Sequence, residues 1–367
     1  MKTENSTLLC EISPVFKPYI QSLYNDLELG LCKAKVDLER IGSSSDGAET
    51  QFRLVLPYCS RKLKWEVIFD ASTPWFAPDF RFDDDSFLNN PDEEFLTKNV
   101  PSLANWNGND PNALCNVINE LIKLYKAHQI KKLNEDDESR ASFEYSALLG
   151  NGFTSEQDIE VYVLGHTAEF LIKLKVDTSR LPELYNDGTE NNPGIDTALM
   201  LVRYPNSTNA ELMLSPFLSK CIGNITLPLM HQSGVLMDYV PMVTDLLNSK
   251  IQDLLNNDKL KRGLLAQLIV KYEGAVLEHD ANSAALLFEM NNFYWILQID
   301  IGIHFPEKPP ILTLRSVYHS SKGKPKHKML PGCPYKNFEA YIEQQVEIFK
   351  NECKGIVPSI QVSNMEN

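Results

Sequence analysis

The chain has 367 residues, of which 43% are hydrophobic, and this length predicts about two to three globular domains. Its formal net charge of −14 argues against sequence-independent binding to phosphate backbones, which needs a basic face. The seven cysteines form no CxxC pair and are odd in number, so neither a zinc site nor a disulfide framework is indicated. Met1–Thr7 lacks the pattern of a signal peptide, and no apolar run is long enough to span a bilayer. We therefore expect a soluble protein without cofactor, metal, direct nucleic-acid or membrane binding.

The first segment combines a helical pattern with short β-type runs. Apolar residues between Ile12 and Leu23 follow helical spacing. The predicted strands are Gly30–Leu38, Phe52–Pro57, Leu63–Asp70 and Asp79–Phe82. Between Leu114 and Tyr125, apolar residues recur at i, i+3, i+4 and i+7, which predicts a helix with one buried face. Cys115 lies beside that face, where we expect a buried and unreactive thiol.

The middle segment follows the polar run Lys131–Arg140, which we interpret as the first domain boundary. A helix is predicted at Ala141–Leu149. The predicted strands are Ile159–Leu164, Glu169–Val176, Thr197–Tyr204 and Glu211–Leu214. This order repeats the outline of the flanking segments, so we interpret the middle segment as a degenerate third copy of one module.

The third segment begins with a helical pattern over Val243–Tyr272 that the polar Asn256–Lys259 interrupts, which predicts two helices. The predicted strands are Ala275–Glu278, Ala285–Glu289, Tyr294–Ile303 and Ile311–Tyr318. The basic stretch Lys322–Lys328 is interpreted as a solvated loop, with a localisation signal or an anionic-partner contact as alternatives. A helix with apolar residues from Phe338 to Phe349 on one face closes the segment.

One strand–proline–strand pattern occurs twice, about 230 residues apart. The first copy is Trp65–Asp70, then Pro74, then Pro78–Phe82. The second copy is Trp295–Asp300 followed by Phe305–Leu314. Such self-similarity indicates a duplicated folding unit, and we expect both tryptophans to be core residues.

These motifs resemble those of the ubiquitin-conjugating (E2) fold. Phe305–Leu314 is similar to that family's Tyr-Pro-x-x-Pro-Pro-x-Val-x-Phe motif, and Ser316–His319 is similar to the start of its Ile-Tyr-His-Pro-Asn segment. Leu103–Trp106, followed by Pro111, resembles the entry to its crossover helix. The resemblance implies an α+β protein of tandem E2-variant (UEV or RWD) domains, each an antiparallel four-stranded sheet with flanking helices. The implied domains are 10–133, a middle RWD-like domain at 141–250, and 251–355.

Conjugation chemistry needs an activated cysteine about 20 residues after the paired prolines and an Asn that stabilises the oxyanion. The first module has no cysteine between Phe82 and its helix. In the second module Cys333 follows Pro310 by 23 residues, but Ser320 and Ser321 stand where Pro-Asn is expected. We therefore predict a module without catalytic residues. An active conjugating enzyme that uses Cys333 is the alternative.

Nearly the whole chain is similar to the brain-and-reproductive-organ-expressed (BRE) family. The stretches that carry the similarity are Ile12–Pro14, Leu63–Phe69, Pro78–Phe80, Leu103–Asn107, Phe143–Tyr145, Asp238–Pro241 and Ser316–His319. The resemblance implies a non-catalytic scaffold subunit of the BRISC and breast-cancer-associated A deubiquitinase complexes, which cleave lysine-63-linked ubiquitin chains. It also implies a position between the Abraxas-like scaffold of a JAMM-type zinc deubiquitinase and the von Willebrand A-like MERIT subunit.

The same resemblance implies polyubiquitin and serine hydroxymethyltransferase as further partners. It implies a role in the DNA-damage response in the nucleus, and in receptor and mitotic signalling in the cytoplasm. A stand-alone ubiquitin-binding module is a further alternative to the scaffold.

Two groups of residues are candidate partner contacts. Trp75 and Phe76, in a proline-flanked turn, are predicted either to anchor a partner or to pack in the core. In the third segment, loss of the thioester chemistry leaves the cleft between the fourth strand and the closing helix available to a partner peptide. The MERIT contact is predicted there, at Tyr318, His319, Pro331 and Tyr335.

Overall fold

A computed structural model describes residues 12–40, 50–135, 139–181, 197–205, 209–230, 234–302, 305–321, 324–330 and 338–354. The chain forms two compact units, an N-terminal unit up to Ile251 and a C-terminal unit from Gln252. The described residues form antiparallel sheets of four, four and five strands with flanking helices, besides a two-stranded sheet, and this confirms the predicted α+β class. Among the described residues, none of the helices combines the length and the hydrophobicity of a membrane-spanning segment. The domain boundaries at 133–141 and 250–251 stay predictions.

The N-terminal unit begins with helix α1 and a meander whose strand order is β3-β4-β5-β6. Its elements are α1 (Lys17–Asp26), β1 (Glu28–Leu29), β2 (Ala34–Lys35), β3 (Asp37–Arg40), β4 (Gln51–Tyr58), β5 (Arg61–Ile68), β6 (Asp79–Arg81), α2 (Glu93–Asn99), α3 (Pro101–Ala104) and α4 (Ala113–Asn134). Strand β5 alternates buried Leu63, Trp65 and Val67 with charged residues, so one face packs on the core. Helix α4 buries the predicted apolar stripe and Cys115.

The second sheet of this unit has the order β10-β9-β8-β7. Its central strands β8 and β9 are more deeply buried than the strands of the first sheet. Its elements are α5 (Arg140–Gly150), β7 (Ile159–Leu164), β8 (Thr167–Lys173), β9 (Ala198–Tyr204), β10 (Glu211–Leu214) and α6 (Pro216–Ile222). Consecutive residues of β9 are buried, as expected of a strand covered on both faces. Leu171, Leu199 and Leu201 share one apolar cluster with the first sheet, so the two sheets pack around common core residues.

The C-terminal unit has the order β11-β12-β13-β14-β15. Its sheet strands are β11 (Val276–His279), β12 (Ser283–Met290), β13 (Phe293–Asp300), β14 (Ile311–Ser321) and β15 (Lys324–Leu330), and its closing helix is α8 (Phe338–Cys353). Strand β13 buries Phe293, Trp295, Leu297 and Ile299 in strict alternation. These residues pack on α8 residues such as Val346, so the predicted order of meander and closing helix is confirmed.

The prediction of two helices over Val243–Tyr272 is wrong, because one helix, α7 (Leu236–Lys271), runs through the polar interruption. Asn and Asp cost only about 0.7 kcal/mol each relative to Ala inside a helix. Here they also form i,i+4 contacts: Gln252 Nε2 donates to Asn256 Oδ1 at 3.0 Å, and Arg262 Nε lies 2.7 Å from Asp258 Oδ2.

The interpretation of Lys322–Lys328 as a solvated loop is also wrong for its described residues, which belong to β15. Strand β15 pairs with β14, with Thr313 opposite Met329 and Arg315 opposite His327. Only Leu330 of this strand is buried. An edge strand with so little burial lacks the apolar alternation that identifies strands in a sequence.

Candidate partner-binding surfaces

The described cysteines are all buried: Cys32, Cys59, Cys115, Cys221 and Cys353. Burial raises the pKa of the Cys32 and Cys221 thiols to about 11, and it also raises the pKa values of Cys59 and Cys353. A nucleophilic cysteine instead needs an exposed thiol with a lowered pKa. The prediction that Cys115 is a buried thiol is confirmed. Cys333, the thiol of the conjugating-enzyme alternative, lies outside the described residues.

Trp75 and Phe76 lie on the surface, in the turn between β5 and β6. Each side chain is 62% exposed, and the ring centroids are 6.3 Å apart. The core-packing alternative for these two residues is therefore wrong. Large apolar side chains that are exposed to solvent mark candidate contact sites.

The turn that carries these rings is ordered by its own polar side chains. The Asp70 carboxylate accepts from Ser72 N at 2.8 Å and from the Thr73 hydroxyl at 2.7 Å, and the Ser72 hydroxyl bond is the main cause of its lowered pKa. Phe76 N donates to Thr73 O at 3.1 Å. Gly108 packs behind the turn, where a Cβ would come within 3.3 Å of the Trp75 carbonyl oxygen. The rings are thus presented on a preorganised backbone, which lowers the entropic cost of binding.

In the C-terminal unit, Tyr318 and His319 lie at an irregularity of strand β14. The register shifts between Arg315 and Ser320, so four residues of β14 bulge opposite Lys326 of β15. Ser316 Oγ lies 2.8 Å from His319 Nδ1 and accepts from His319 N at 3.3 Å. Bulges of this kind re-aim side chains and are frequent beside functional sites.

Tyr318 and His319 are half-buried. The Tyr318 ring contacts Tyr294 edge-on, at a centroid distance of 5.8 Å. The other two predicted contact residues, Pro331 and Tyr335, lie outside the described residues. The grouping of all four therefore stays a prediction.

A buried carboxylate that the sequence analysis did not single out joins the two sheets of the N-terminal unit. Glu160 of β7 accepts from Leu31 N and from Cys59 N, both at 2.7 Å. Burial raises its pKa, and the two N–H donors act against that rise. Gly30 leaves room for this carboxylate, since a Cβ there would meet Glu160 Oε1 at 2.7 Å. Both donors lie in turns far away in sequence, so no local pattern could reveal the contact.

A second polar contact between these sheets involves charged partners on both sides. Arg61 donates through Nε and Nη2 to the Glu169 carboxylate, each at 2.8 Å. Arg203 adds a contact at 3.3 Å. The hydrogen bonds from Arg61 are the main reason that the pKa of Glu169 is lowered. The N-terminal unit therefore holds its two sheets together by polar bonds as well as by shared core residues.

The described residues contain no group of three or more His, Cys, Asp or Glu side chains arranged to hold a metal ion. What the geometry offers is a pair of surfaces with ordered aromatic residues, one on each compact unit. These features define an α+β protein of sheet-and-helix modules with two candidate binding surfaces.

The chain belongs to the BRE family, since the family model described as "Brain and reproductive organ-expressed protein (BRE)" matches residues 10–320. It is similar to a Branchiostoma floridae protein named "BRISC and BRCA1-A complex member 2", with 31% identity over 359 residues and 91% of each chain covered. It is also 30% identical over 352 residues to a Danio rerio protein of the same name, with 89% of each chain covered.

Proposed function

We infer that this chain is a non-catalytic scaffold subunit of a lysine-63-specific deubiquitinase complex of the BRISC and BRCA1-A kind. The observation that carries this proposal is the family match over residues 10–320. Two relatives named as members of those complexes support it, because the similarity extends over about nine-tenths of each chain. The two compact units, each with an ordered aromatic surface, suit a subunit that contacts one neighbour through each unit.

In the proposed arrangement the N-terminal unit contacts the Abraxas-like scaffold through Trp75 and Phe76. The C-terminal unit contacts the von Willebrand A-like MERIT subunit around Tyr318 and His319. Aromatic residues at the centre of an interface contribute most of its binding energy, which is why these side chains are assigned to the contacts. The proposal extends to E2-variant (UEV and RWD) domains, to a nuclear role in the DNA-damage response, and to a cytoplasmic role in receptor and mitotic signalling.

The N-terminal contact is tested by affinity purification of the full chain carrying Trp75→Ala and Phe76→Ala, with identification of the recovered subunits. We expect recovery of the Abraxas-like scaffold to fall at least tenfold, since losing two central aromatics costs about 2 kcal/mol or more. Leu164→Ala is the matched control, because Leu164 is 57% exposed and lies in the same unit. Equal recovery from the double variant and the control would contradict the assignment.

The C-terminal contact is tested by Tyr318→Glu, with Met329→Glu as the control on the same sheet. Met329 is 64% exposed, so its substitution introduces the same charge without disturbing the core. Recovery of the MERIT subunit should fall with Tyr318→Glu and persist with Met329→Glu. Intact recovery with Tyr318→Glu would refute this placement.

The scaffold is distinguished from a conjugating enzyme by incubating the chain with activating enzyme, ubiquitin and ATP. We expect no adduct that is sensitive to reducing agent. An adduct that disappears in Cys333→Ser would overturn the proposal, because a thioester forms only on a reactive thiol. Binding of ubiquitin to the chain without any recovered subunit would instead favour the stand-alone ubiquitin-binding module.

A further inference from the structure

Strand β15 forms one edge of the five-stranded sheet of the C-terminal unit. Among the described residues it pairs with β14 alone, so alternate residues direct their backbone N–H and C=O groups away from the sheet. All of its residues except Leu330 are exposed or half-buried. Pro325 has no N–H, so the donors along this edge come from its neighbours in the strand. Unpaired backbone groups on an accessible edge are a template for a further strand from another polypeptide.

The lysines of β15 recur at every second position. Lys324, Lys326 and Lys328 therefore lie on one face of the strand, because successive side chains of a strand point to opposite faces. Leu330 continues the same spacing and is buried in the apolar cluster that includes α8. Lys328 Nζ lies 2.6 Å from Oε1 of Glu352, which also belongs to α8. The three lysines thus form a row along the sheet edge, on the side of α8.

This row of lysines is largely uncompensated. Among the described residues, Glu352 is the one carboxylate within 4.0 Å of any of the three lysines, and it contacts only Lys328. The last turn of α8 also carries a cation, Lys350. On the other face of the sheet, the register places Arg315 of β14 opposite His327. Strand β15 itself contains no acidic residue, although the whole chain has a formal net charge of −14.

The charge of this edge determines which strand it accepts. A second copy of β15 would place lysines opposite lysines, and like charges directly opposite one another are destabilising. A strand with carboxylates at every second position would instead place them beside the lysines on the α8 side. Its intervening residues would lie on the other face, with His327 and Met329, where β-branched residues favour the extended conformation.

We propose that the β15 edge binds an extended acidic segment of a partner polypeptide, in which Asp or Glu alternates with uncharged residues, as an added strand of the sheet. The lysine row fixes the register of this segment, and the backbone groups of β15 supply its hydrogen bonds. The site is the outer edge of β15 and not the side chains of Trp75 or Tyr318. It does not depend on membership in a deubiquitinase complex, so it stands or falls separately from the proposed function.

The experiment follows the fluorescence anisotropy of a blocked, fluorescein-labelled peptide, Glu-Thr-Glu-Val-Glu-Thr-Glu, titrated with the full chain at low ionic strength. A first matched probe, Glu-Glu-Thr-Val-Thr-Glu-Glu, has the same composition but places two glutamates on each face of a strand. A second has lysine in place of every glutamate. We expect saturable binding of the alternating peptide, roughly threefold or more weaker binding of the regrouped peptide, and no binding of the lysine peptide.

Two further probes distinguish strand addition from charge attraction without backbone pairing. N-methylation of the peptide backbone removes N–H donors and keeps every charge. In an added strand only alternate residues direct their N–H groups towards β15. Methylation of the four glutamates and methylation of the three intervening residues should therefore differ, with one abolishing binding and the other leaving most of it.

The variant chain carries Lys324→Glu and Lys326→Glu, which lie on the sheet edge outside the core. It should bind the alternating glutamate peptide roughly tenfold more weakly and should gain binding of the lysine peptide. The matched control carries Lys259→Glu and Lys308→Glu, which change two exposed lysines elsewhere in the C-terminal unit and alter the net charge equally. The control should bind the alternating peptide like the wild type.

Three results would overturn the proposal. The first is equal binding of the alternating and regrouped peptides, or equal binding of the two methylated peptides. The second is an equal loss of binding in the β15 variant and in the control variant. The third is tighter binding of a twelve-residue oligothymidylate than of the alternating peptide, which would make this edge a nucleic-acid contact.

Discussion

The two units each place a tryptophan in the third strand of a four- or five-stranded meander and surround it differently. Trp65 has the rings of Phe82, Phe87 and Tyr125 within 5.9 Å. Among the described residues, Trp295 has one such neighbour, Phe288, at 4.8 Å, and it borders a cavity. Both units thus keep a buried indole on the third strand of the meander while the packing around it changes. In the N-terminal unit the indole is surrounded by aromatic residues, whereas in the C-terminal unit it borders a cavity.

The hairpins that precede the two tryptophans show the same contrast. Both have two-residue turns with positive φ, at Cys59–Ser60 and at Asn291–Asn292, as type I′ turns require. Asn tolerates this conformation, whereas for Cys59 the left-handed region costs about 1–2 kcal/mol. The carboxylate of Glu160 accepts from Cys59 N and holds that turn in place. The N-terminal turn is therefore stabilised by the second sheet, while the C-terminal turn is stable by its local sequence.

The largest effect that we predict is a difference between the two tryptophans. Trp65→Ala should lower the free energy of unfolding by about 4 kcal/mol, because it empties a closely packed site. Trp295→Ala should cost about 2–3 kcal/mol, since its site already borders empty space. Chemical denaturation followed by circular dichroism measures both losses. Trp75→Ala is the control, because Trp75 is exposed and its substitution should change the free energy of unfolding by almost nothing. Equal costs for the two tryptophans would contradict the contrast in packing.

The second prediction removes the carboxylate that joins the sheets of the N-terminal unit. Glu160→Ala leaves Leu31 N and Cys59 N without their acceptor, so we expect a loss of about 3 kcal/mol. Amide hydrogen exchange should increase at the β4–β5 turn and leave the Asn291–Asn292 turn unchanged. Glu156→Ala, an exposed residue just before β7, is the matched control. Unchanged exchange at Cys59 would show that the second sheet does not hold this turn.

The third prediction uses the pH dependence of stability to distinguish the contributions of the two buried carboxylates, Glu169 and Glu160. The folded state lowers the pKa of Glu169, so its stabilising contribution is present above the ordinary glutamate pKa and is lost as the pH falls through the folded value. Glu169→Gln should therefore cost about 1–2 kcal/mol at neutral pH. That cost should shrink as the pH falls below about 4. The pH dependence of the contribution of Glu160 to stability has the opposite sign. Burial raises the pKa of Glu160, so its contribution falls as the pH rises.

Unfolding curves of the wild type and Glu169→Gln at a series of pH values test this assignment. Glu211→Gln is the control, since Glu211 is 57% exposed and its ion pair with Arg203 is solvated. A cost of Glu169→Gln that stays constant with pH would show that the carboxylate is not held by Arg61.

The sequence predicted those elements in which the order of apolar and polar residues follows the order of buried and exposed positions. The alternation in β5 and β13 and the apolar stripe of α4 come from one-sided packing, and these elements appear where the pattern predicted them. Strand β15 was missed because an edge strand buries little and shows no such alternation. The two-helix prediction for α7 failed because Asn and Asp weaken a helix only slightly.

The candidate surfaces were predictable only in part. The proline-flanked turn singled out Trp75 and Phe76, but a sequence pattern could not decide between exposure and burial. The contacts of Glu160 and the cavity beside Trp295 arise from residues that are distant along the chain. Such features depend on how elements pack, which periodicity does not encode.

The smallest predicted effect is a gain in stability. It comes from enlarging a side chain beside the Trp295 cavity, in contrast to enlarging one in the closely packed core around Trp65. Ile342→Phe adds volume beside a 270 Å³ cavity, so we expect the free energy of unfolding of the C-terminal unit to rise by about 0.5–1 kcal/mol. The same enlargement at Ile118, which is fully buried on α4, should instead destabilise the N-terminal unit by about 1–3 kcal/mol. Thermal unfolding of the two variants measures whether each substitution raises or lowers the free energy of unfolding. If Ile342→Phe destabilised as much as Ile118→Phe, the space beside Trp295 would be as tightly filled as that around Trp65, and the two copies would not differ in packing.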